Sequence, residues 1–559
     1  MPPCTLRKGG AGLLVEARVC CTGMHDDVRA LVAALEKHTQ HAIVLACQLT
    51  RHGETADDHQ VVVERLAYAA TETRAAVAML AAAEQAPPTV AAAGVAIAEL
   101  AQRAIAKLDS IAFELGQAEG FALALVHTQT IRQHLRTDAV QALGRATIAT
   151  NGRTVWPLDE LLSEVRSSVR QFAEREVAPH AEHIHRFDEL VPERIITEMA
   201  ALGYFGLAIP ERYGGHEMGN LAMILTTEEL SRASLAAGGS LITRPEILTK
   251  ALLAGGTDAQ KQLWLPKLAS GEVMVAISVT EPDVGSDVAS LTCRATPVER
   301  DGVAGWSITG AKAWCTFAGR ADVIAVLVRT DADVSKGARG LTLMMVEKPR
   351  FLGHEFETSQ PGGGTLRGKA DRTPGYRGMH SFSLAFEDWW VPMRNVVGEA
   401  GGLGRGFVLQ MAGFAAGRLQ TGGRACGLAQ AALEKTAEYV AARRQFAKPI
   451  AEFGLTQFHI GMMTARLAAA RAITYAAALA MDGDERKAAP LAAQAKLFAC
   501  DVAVEICALG QLLHGGWGYA EEYAISRYMA DASVLPIFEG VKPVLALKVI
   551  GRALLAPVP

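Results

Sequence analysis

The chain has little with which to staple itself together. Its nine cysteines form no C-x-x-C pair and no cysteine–histidine spacing of the zinc-binding kind, so neither a disulfide framework nor a metal scaffold is expected. Charge of one sign is also lacking. With 55 basic residues against 59 acidic ones, nothing favours nucleic acid or a membrane surface as a partner. No apolar run reaches the roughly 20 residues of a spanning helix. The opening "MPPCTLRKGGAGLLVEARVCC" is basic but has no long apolar centre and no A-x-A step, so export is not expected and a cytoplasmic location is. No G-x-G-x-x-G is present, which removes the commonest dinucleotide fingerprint.

What is present is apolar mass: half of the 559 residues, enough for three or four cores. After Met24 the texture is helical. Val28, Leu31, Val32 and Leu35 recur at i, i+3, i+4, i+7 behind Asp26 and Asp27. Ala-rich amphipathic runs follow at 59–84 and 93–116, broken by "QAPPT" at Gln85–Thr89. "ATNGRTVWP" (Ala149–Pro157) reads as a linker. This predicts a helical extension over 1–150, a second helical domain over 151–275, a β domain over 276–398 and a helical bundle over 399–559. In the β region "ADVIAVLVRT", "GLTLMMVEKP" and "SFSLAFEDWWVP" have strand texture, while "GHEFETSQPGGGTLRGKADRTPGY" reads as a polar loop excursion.

Two stretches of the β region carry chemistry. In "ISVTEPDVGSD" (Ile277–Asp287) a strand ends in a Pro- and Gly-Ser-containing turn, exposing backbone N–H groups and hydroxyls at a strand end. In "GAKAWCTFAG", Trp314 and Thr316 alternate on another strand and are expected to face one side. An aromatic plane plus a hydroxyl suits a flavin ring, although a tryptophan packed in a β core fits the second stretch alone equally well.

With these motifs the chain resembles the acyl-CoA dehydrogenase family. "TEPDVGSD" matches that family's first signature nearly letter for letter. "ARRQFAKPI" resembles its F-G-K-P-I element, "LLHGGWGYAEEY" its H-G-G step and "PIFEGV" its I-Y-E-G-T end; "LGYFGLAIPERYGG" and "FEDWWVP" match in order. The resemblance covers roughly residues 158–555. It implies a mainly α fold with a central β-barrel domain, a helical domain before it and a four-helix bundle after it. It also implies FAD between the β domain and the bundle, and α,β-dehydrogenation of an acyl-CoA thioester with electrons passed to an electron-transferring flavoprotein. A homodimer or dimer of dimers is implied too, because part of the flavin site comes from a neighbouring subunit.

Residue by residue, the resemblance makes Glu539 the catalytic base. A carboxylate in a dry cleft is a stronger base towards a buried α-carbon, and backbone N–H groups polarise the thioester carbonyl. Some relatives carry the base just before the arginine of "AGRLQTGG", but here that position is Gly417, leaving Glu539 as the only base. Ile277, Val279, Thr280, Gly285 and Ser286 would meet the flavin, with Ser286 also near the thioester arm. Trp314 would cover one face and Thr316 approach the redox nitrogen. Arg443, Phe446, Gly515 and Gly516 would reach FAD from the other subunit. Phe538, Gly540 and Arg418 would flank the substrate. The family's polar groups are replaced at Phe538, Val541, Leu512 and Gly454, and its glycine by Ala447.

With its helical extension and its insertion near 353–375 the layout resembles one branch of the family, and that resemblance implies a short, branched acyl chain bearing a free carboxylate. In "GSLITRPEILTK", Thr243 and Arg244 are the candidates to receive it, Arg244 through its planar fork. Lys250 is the alternative, and a surface ion pair of Arg244 with Glu246 fits as well. Tyr376 and His380 are further donors. An acyl-CoA oxidase and a non-catalytic flavin-binding protein are the competing readings. Oxidases are longer, and a non-catalytic relative would not need Glu539.

Overall fold

The computed structural model describes residues 26–85, 90–117, 119–121, 123–154 and 156–557. The segment before Met24 lies outside them, as does most of the Gln85–Thr89 break.

Five helices come first: α1 (Asp26–Leu49), α2 (Gln60–Gln85), α3 (Val90–Asp109), α4 (Leu123–His134) and α5 (Thr137–Ala149). The periodic residues Val28, Leu31, Val32 and Leu35 of α1 are all buried, as a 3.6-residue stripe requires. Six more helices follow: α6 (Glu160–Phe172), α7 (Ala178–Phe187), α8 (Glu193–Ala201), α9 (Gly219–Ala233), α10 (Thr243–Gly255) and α11 (Asp258–Ala269). Asp159 caps α6 through the Leu162 N–H, and Thr257 with Gln260 forms a capping box on α11.

An eight-stranded sheet follows, of β1 (Val275–Ser278), β2 (Arg294–Arg300), β3 (Val303–Thr316), β4 (Val323–Arg329), β5 (Leu341–Glu347), β6 (Glu355–Ser359), β7 (Thr365–Ala370) and β8 (Ser381–Pro392). The strand order is β1-β4-β2-β3-β8-β7-β6, with β5 on β4. Here the sequence reading needs a correction. The polar excursion is the β6–β7 hairpin, which extends the sheet beyond β8 in register, Leu366 opposite Phe386. Its buried residues, Phe356 and Leu366, are two apolar side chains among many polar ones. That alternation is too sparse to read as a strand pair.

The chain closes in long helices, α12 (Gly406–Ala442), α13 (Gly454–Gly483) and α14 (Glu485–His514), with a small β9–β10 hairpin (Arg444–Gln445, Lys448–Pro449) after α12 and α15 (Ala524–Ala532) after α14. α12 is the pillar, packed on α9, α10, α13 and α14. α14 is long and apolar enough to cross a membrane by length and composition; it packs in the bundle against α12 and α13.

The amino-terminal helices pack on this bundle. A Cβ on Gly144 of α5 would lie 1.8 Å from the Gln457 carbonyl oxygen, and one on Gly461 of α13 would lie 2.1 Å from that of Val140, so the two helices touch backbone to backbone. Gly454 has the same reason to be small, since a Cβ there would meet the Gln141 amide at 2.6 Å. The Ala149–Pro157 stretch is tied down: Gln430 donates to the Gly152 carbonyl, and the Thr154 hydroxyl donates to Gln430. Beside them buried Arg471 pairs with Glu228 at 2.6 Å.

Candidate active site

Glu539 lies in the turn after α15, and its backbone is strained. Its φ is +53° and that of Gly540 is +100°, a left-handed pair that L-residues avoid and functional sites retain. Gly540 is further fixed by packing, because a Cβ there would meet Leu545 at 2.9 Å. The turn aims the Glu539 carboxylate at α12. Oε2 would stand 3.1 Å from a Cβ at Gly417, the position that carries the base in some relatives, with Ile247 on the other side at 3.2 Å. The oxygen is buried and has no hydrogen-bond partner among the described residues. A buried carboxylate oxygen without a protein partner leaves its lone pairs open to a ligand. The loop is held by its carbonyls: Arg418 Nε donates to Glu539 O at 3.4 Å and buried Lys496 Nζ to Gly540 O at 2.7 Å. The Glu539 N–H makes no hydrogen bond among the described residues.

Beside the Glu539 carboxylate stands a pocket of positive charge. Arg244, only 5% exposed, donates through Nη1 to Tyr376 OH at 3.1 Å and to the Ser240 carbonyl at 3.3 Å. It makes no ion pair with Glu246, because α10 turns it inward. Lys250, the alternative cation, is bound to Glu485. The sequence reading missed a second arginine. Arg424 on α12 is fully buried; Nη1 reaches the same Tyr376 hydroxyl at 3.3 Å and Nη2 bonds Thr421 at 2.6 Å, while Nε has no partner. Its guanidinium lies 4.7 Å from the centre of the Phe538 ring, which packs edge-on against Tyr376. Burial, abetted by Arg244, pushes the Arg424 pKa down against the pull of Tyr376 and Glu539. Neither arginine has a carboxylate partner among the described residues. The signal was faint: one arginine in an Ala-rich helical run looks like a solvated one.

Thr243 is fully buried and donates to Gln420 at 2.8 Å. His380 faces Asp188 at 3.1 Å and His354 at 3.2 Å, and no hydrogen bond joins it to the arginine pair. Arg377 ties the β region to α7 through the His185 carbonyl at 2.7 Å.

The flavin candidates fall into two groups. On the β domain, Ile277 lies in β1 and Val279 and Thr280 directly follow it, while Gly285 and Ser286 are exposed in the turn after it. Glu281 stitches that turn: its carboxylate accepts from Thr292 N–H, Cys293 N–H and buried Lys312 at 2.8–3.0 Å. Burial works against this charge, but Lys312 and the hydrogen bonds outweigh it and hold the carboxyl below its usual range. Trp314 is 58% exposed with φ +58°, at a register shift between Lys312 and Cys315. The strict alternation read from the sequence is therefore interrupted by a bulge. Thr316 is buried and bonds Ser381 at 2.9 Å.

Of the second group, Arg443, Gly515 and Gly516 line a surface cleft of about 590 Å³ together with Gln445, Leu512, His514 and Trp517, among others, while Phe446 is not among its lining residues. Gly515 has φ +62°, and Cβ atoms on Gly515 and Gly516 would meet nothing within 4 Å. No β-domain candidate lines this cleft. The residues fit a flavin dinucleotide: a strained, exposed aromatic plane with open backbone beside it, and a separate glycine-floored groove with an arginine for the pyrophosphate.

Comparison with known proteins agrees with this geometry. The chain matches the acyl-CoA dehydrogenase N-terminal domain over residues 159–272, the middle domain over 276–389 and the C-terminal domain over 404–555. It is 39% identical over 460 residues to a (2S)-methylsuccinyl-CoA dehydrogenase of Cereibacter sphaeroides, covering 82% of this chain and 80% of that one. Among solved structures it is similar to butyryl-CoA dehydrogenase from Megasphaera elsdenii (31% identity, TM-score 0.64, 72% of this chain and 100% of that one). It is also similar to a chain solved in work on the electron transferring flavoprotein of Acidaminococcus fermentans (30% identity, TM-score 0.65, 72% and 100%).

Proposed function

Because this chain belongs to the acyl-CoA dehydrogenase family, whose members are FAD-dependent oxidoreductases, we propose that it oxidises (2S)-methylsuccinyl-CoA to mesaconyl-CoA. The observation that carries this reading is the pair of buried guanidiniums, Arg244 and Arg424, meeting at Tyr376 OH with no ion pair to a carboxylate among the described residues. Unpaired buried charge is costly, and an anionic ligand offsets the cost. Methylsuccinyl-CoA carries its free carboxylate on the β-carbon, close to the atoms that react. The relative from Cereibacter sphaeroides supports the same substrate by name.

In this reading the thioester carbonyl accepts from the free Glu539 N–H, which acidifies the α-carbon. The α C–H bond breaks towards Glu539 Oε2, which takes the proton. The electrons left at the α-carbon form the new C=C bond as the β-hydrogen leaves as hydride, and FAD supplies the acceptor for that hydride when bound. Arg244 and Arg424 anchor the carboxylate, fixing which face of the β-carbon is presented. Gly417 leaves room for the Glu539 carboxylate. A second copy of the chain completes the flavin site with Arg443, Phe446, Gly515 and Gly516. An electron-transferring flavoprotein takes the electrons onward.

The test is anaerobic mixing of the yellow protein with methylsuccinyl-, glutaryl-, isobutyryl- and 2-methylbutyryl-CoA. Methylsuccinyl-CoA is expected to bleach the flavin fastest; faster bleaching by an uncharged chain such as 2-methylbutyryl-CoA overturns the substrate assignment.

A further inference from the structure

The catalytic turn holds two consecutive left-handed residues, and such strain persists only where surrounding structure over-determines it. Part of that surrounding structure is the amino-terminal block. The segment just after the turn, Lys542–Leu555, runs along α2. Leu545, Ala546 and Ile550 share one apolar cluster with Ala67 of α2 and with Ala493 and Leu497 of α14. A Cβ on Gly551 would lie 2.4 Å from Val63 Cγ1. Leu545 is the residue that blocks any side chain at Gly540, so α2 packs against the group that shapes the turn.

A polar contact runs in parallel. Tyr68 OH donates to Asp501 Oδ2 at 3.4 Å, and Asp501 Oδ1 holds Lys542 Nζ at 2.5 Å, three residues past the base. Lys542 Nζ also stands 5.8 Å over the Tyr68 ring, within range of a cation–π attraction. Helix α2 therefore meets the post-catalytic segment by packing at Val63 and Ala67 and by charge at Tyr68.

We infer that the amino-terminal helical block is a brace for the catalytic turn, with Val63, Ala67 and Tyr68 acting as positioning residues for Glu539. The inference rests on Glu539 being the base, which Glu539→Gln tests separately. The block touches the segment after the base, not the arginine pocket, so its loss acts on the proton-transfer step more than on thioester binding.

The test uses the full-length, FAD-loaded protein and reads two quantities: the limiting rate of flavin bleaching at saturating thioester, and the thioester's dissociation constant. Gly551→Ala drives a methyl group into Val63 and is expected to lower the limiting rate about tenfold with the dissociation constant changed less than twofold. Val63→Ala added to it reopens part of the space, since a Cβ on Gly551 would also stand 2.8 Å from the Ala546 carbonyl oxygen, and is expected to recover part of the rate. Tyr68→Leu, which does not crowd the interface, is expected to lower the rate at least threefold and to shift its pH dependence. Wild-type limiting rates in both Gly551→Ala and Tyr68→Leu overturn the brace. If Gly551→Ala does not fold, Tyr68→Leu decides alone. If Glu539→Gln itself bleaches normally, the fault lies with the base assignment.

Discussion

Arg424 carries a full positive charge where water does not reach it, and its stability and its selectivity are therefore opposed. Replacing a buried, unpaired ion with an apolar side chain of similar volume relieves desolvation. Arg424→Met is expected to raise the thermal stability of the ligand-free protein by about 1 kcal/mol or more. The same change removes half of the carboxylate clamp, at a cost of about 2–5 kcal/mol, so the preference for methylsuccinyl-CoA over 2-methylbutyryl-CoA falls at least about 30-fold. Lower stability with unchanged preference would make the arginine merely structural. Glu246, near the other arginine in sequence, behaves differently. Its carboxyl is wholly buried, and desolvation pushes it up to about 7 against the opposing charge of Lys250. An acid whose pKa is raised in the folded state binds more protons there than when unfolded, so stability falls as pH rises from about 4.5 to about 7. Glu246→Gln removes that slope. Denaturant melts should show the variant gaining up to about 3 kcal/mol over the parent at pH 8 and little at pH 4.

At the scale of elements, α12 does most to assemble the candidate site, placing Gly417 beside the Glu539 carboxylate, Arg418 on its carbonyl and Arg424 two turns on. The Ala-rich periodicity made the helix legible, but only tertiary packing decides that Arg424 faces inward. The β9–β10 hairpin presents the opposite case. Phe446 and Ala447 both have positive φ, +50° and +63°, the two-residue turn that suits tight hairpins. Alanine occupies the second of these positions, a left-handed conformation that glycine would adopt without strain. Phe446 is 89% exposed at its tip. An aromatic side chain held out on a strained turn fits insertion into a second copy's flavin site. Phe446→Asp is expected to lower the flavin-to-protein ratio, read by absorbance, while far-UV circular dichroism stays unchanged; full flavin occupancy in a folded variant contradicts that role. The β6–β7 hairpin was not legible as strands. Its glycines at 362–364, all with positive φ, and its exposed charges have the composition of a loop.

The whole molecule is a dehydrogenase body with an amino-terminal block, five helices among the described residues, packed onto its carboxy-terminal bundle. Signature motifs revealed the body, because flavin and thioester chemistry restrict those residues tightly. The placement of the extra helices could not be read from sequence. It depends on backbone contacts such as Gly144 with Gln457 and on long-range ion pairs such as Arg466 with Glu99, neither of which leaves a local pattern. Both parts converge on one carboxylate. The measurement that tests this most directly is anaerobic rapid mixing of FAD-loaded Glu539→Gln with methylsuccinyl-CoA. The variant should stay yellow, with the thioester still perturbing its spectrum, while the parent bleaches within the mixing experiment. Bleaching of the variant at a rate near the parent's would contradict the account.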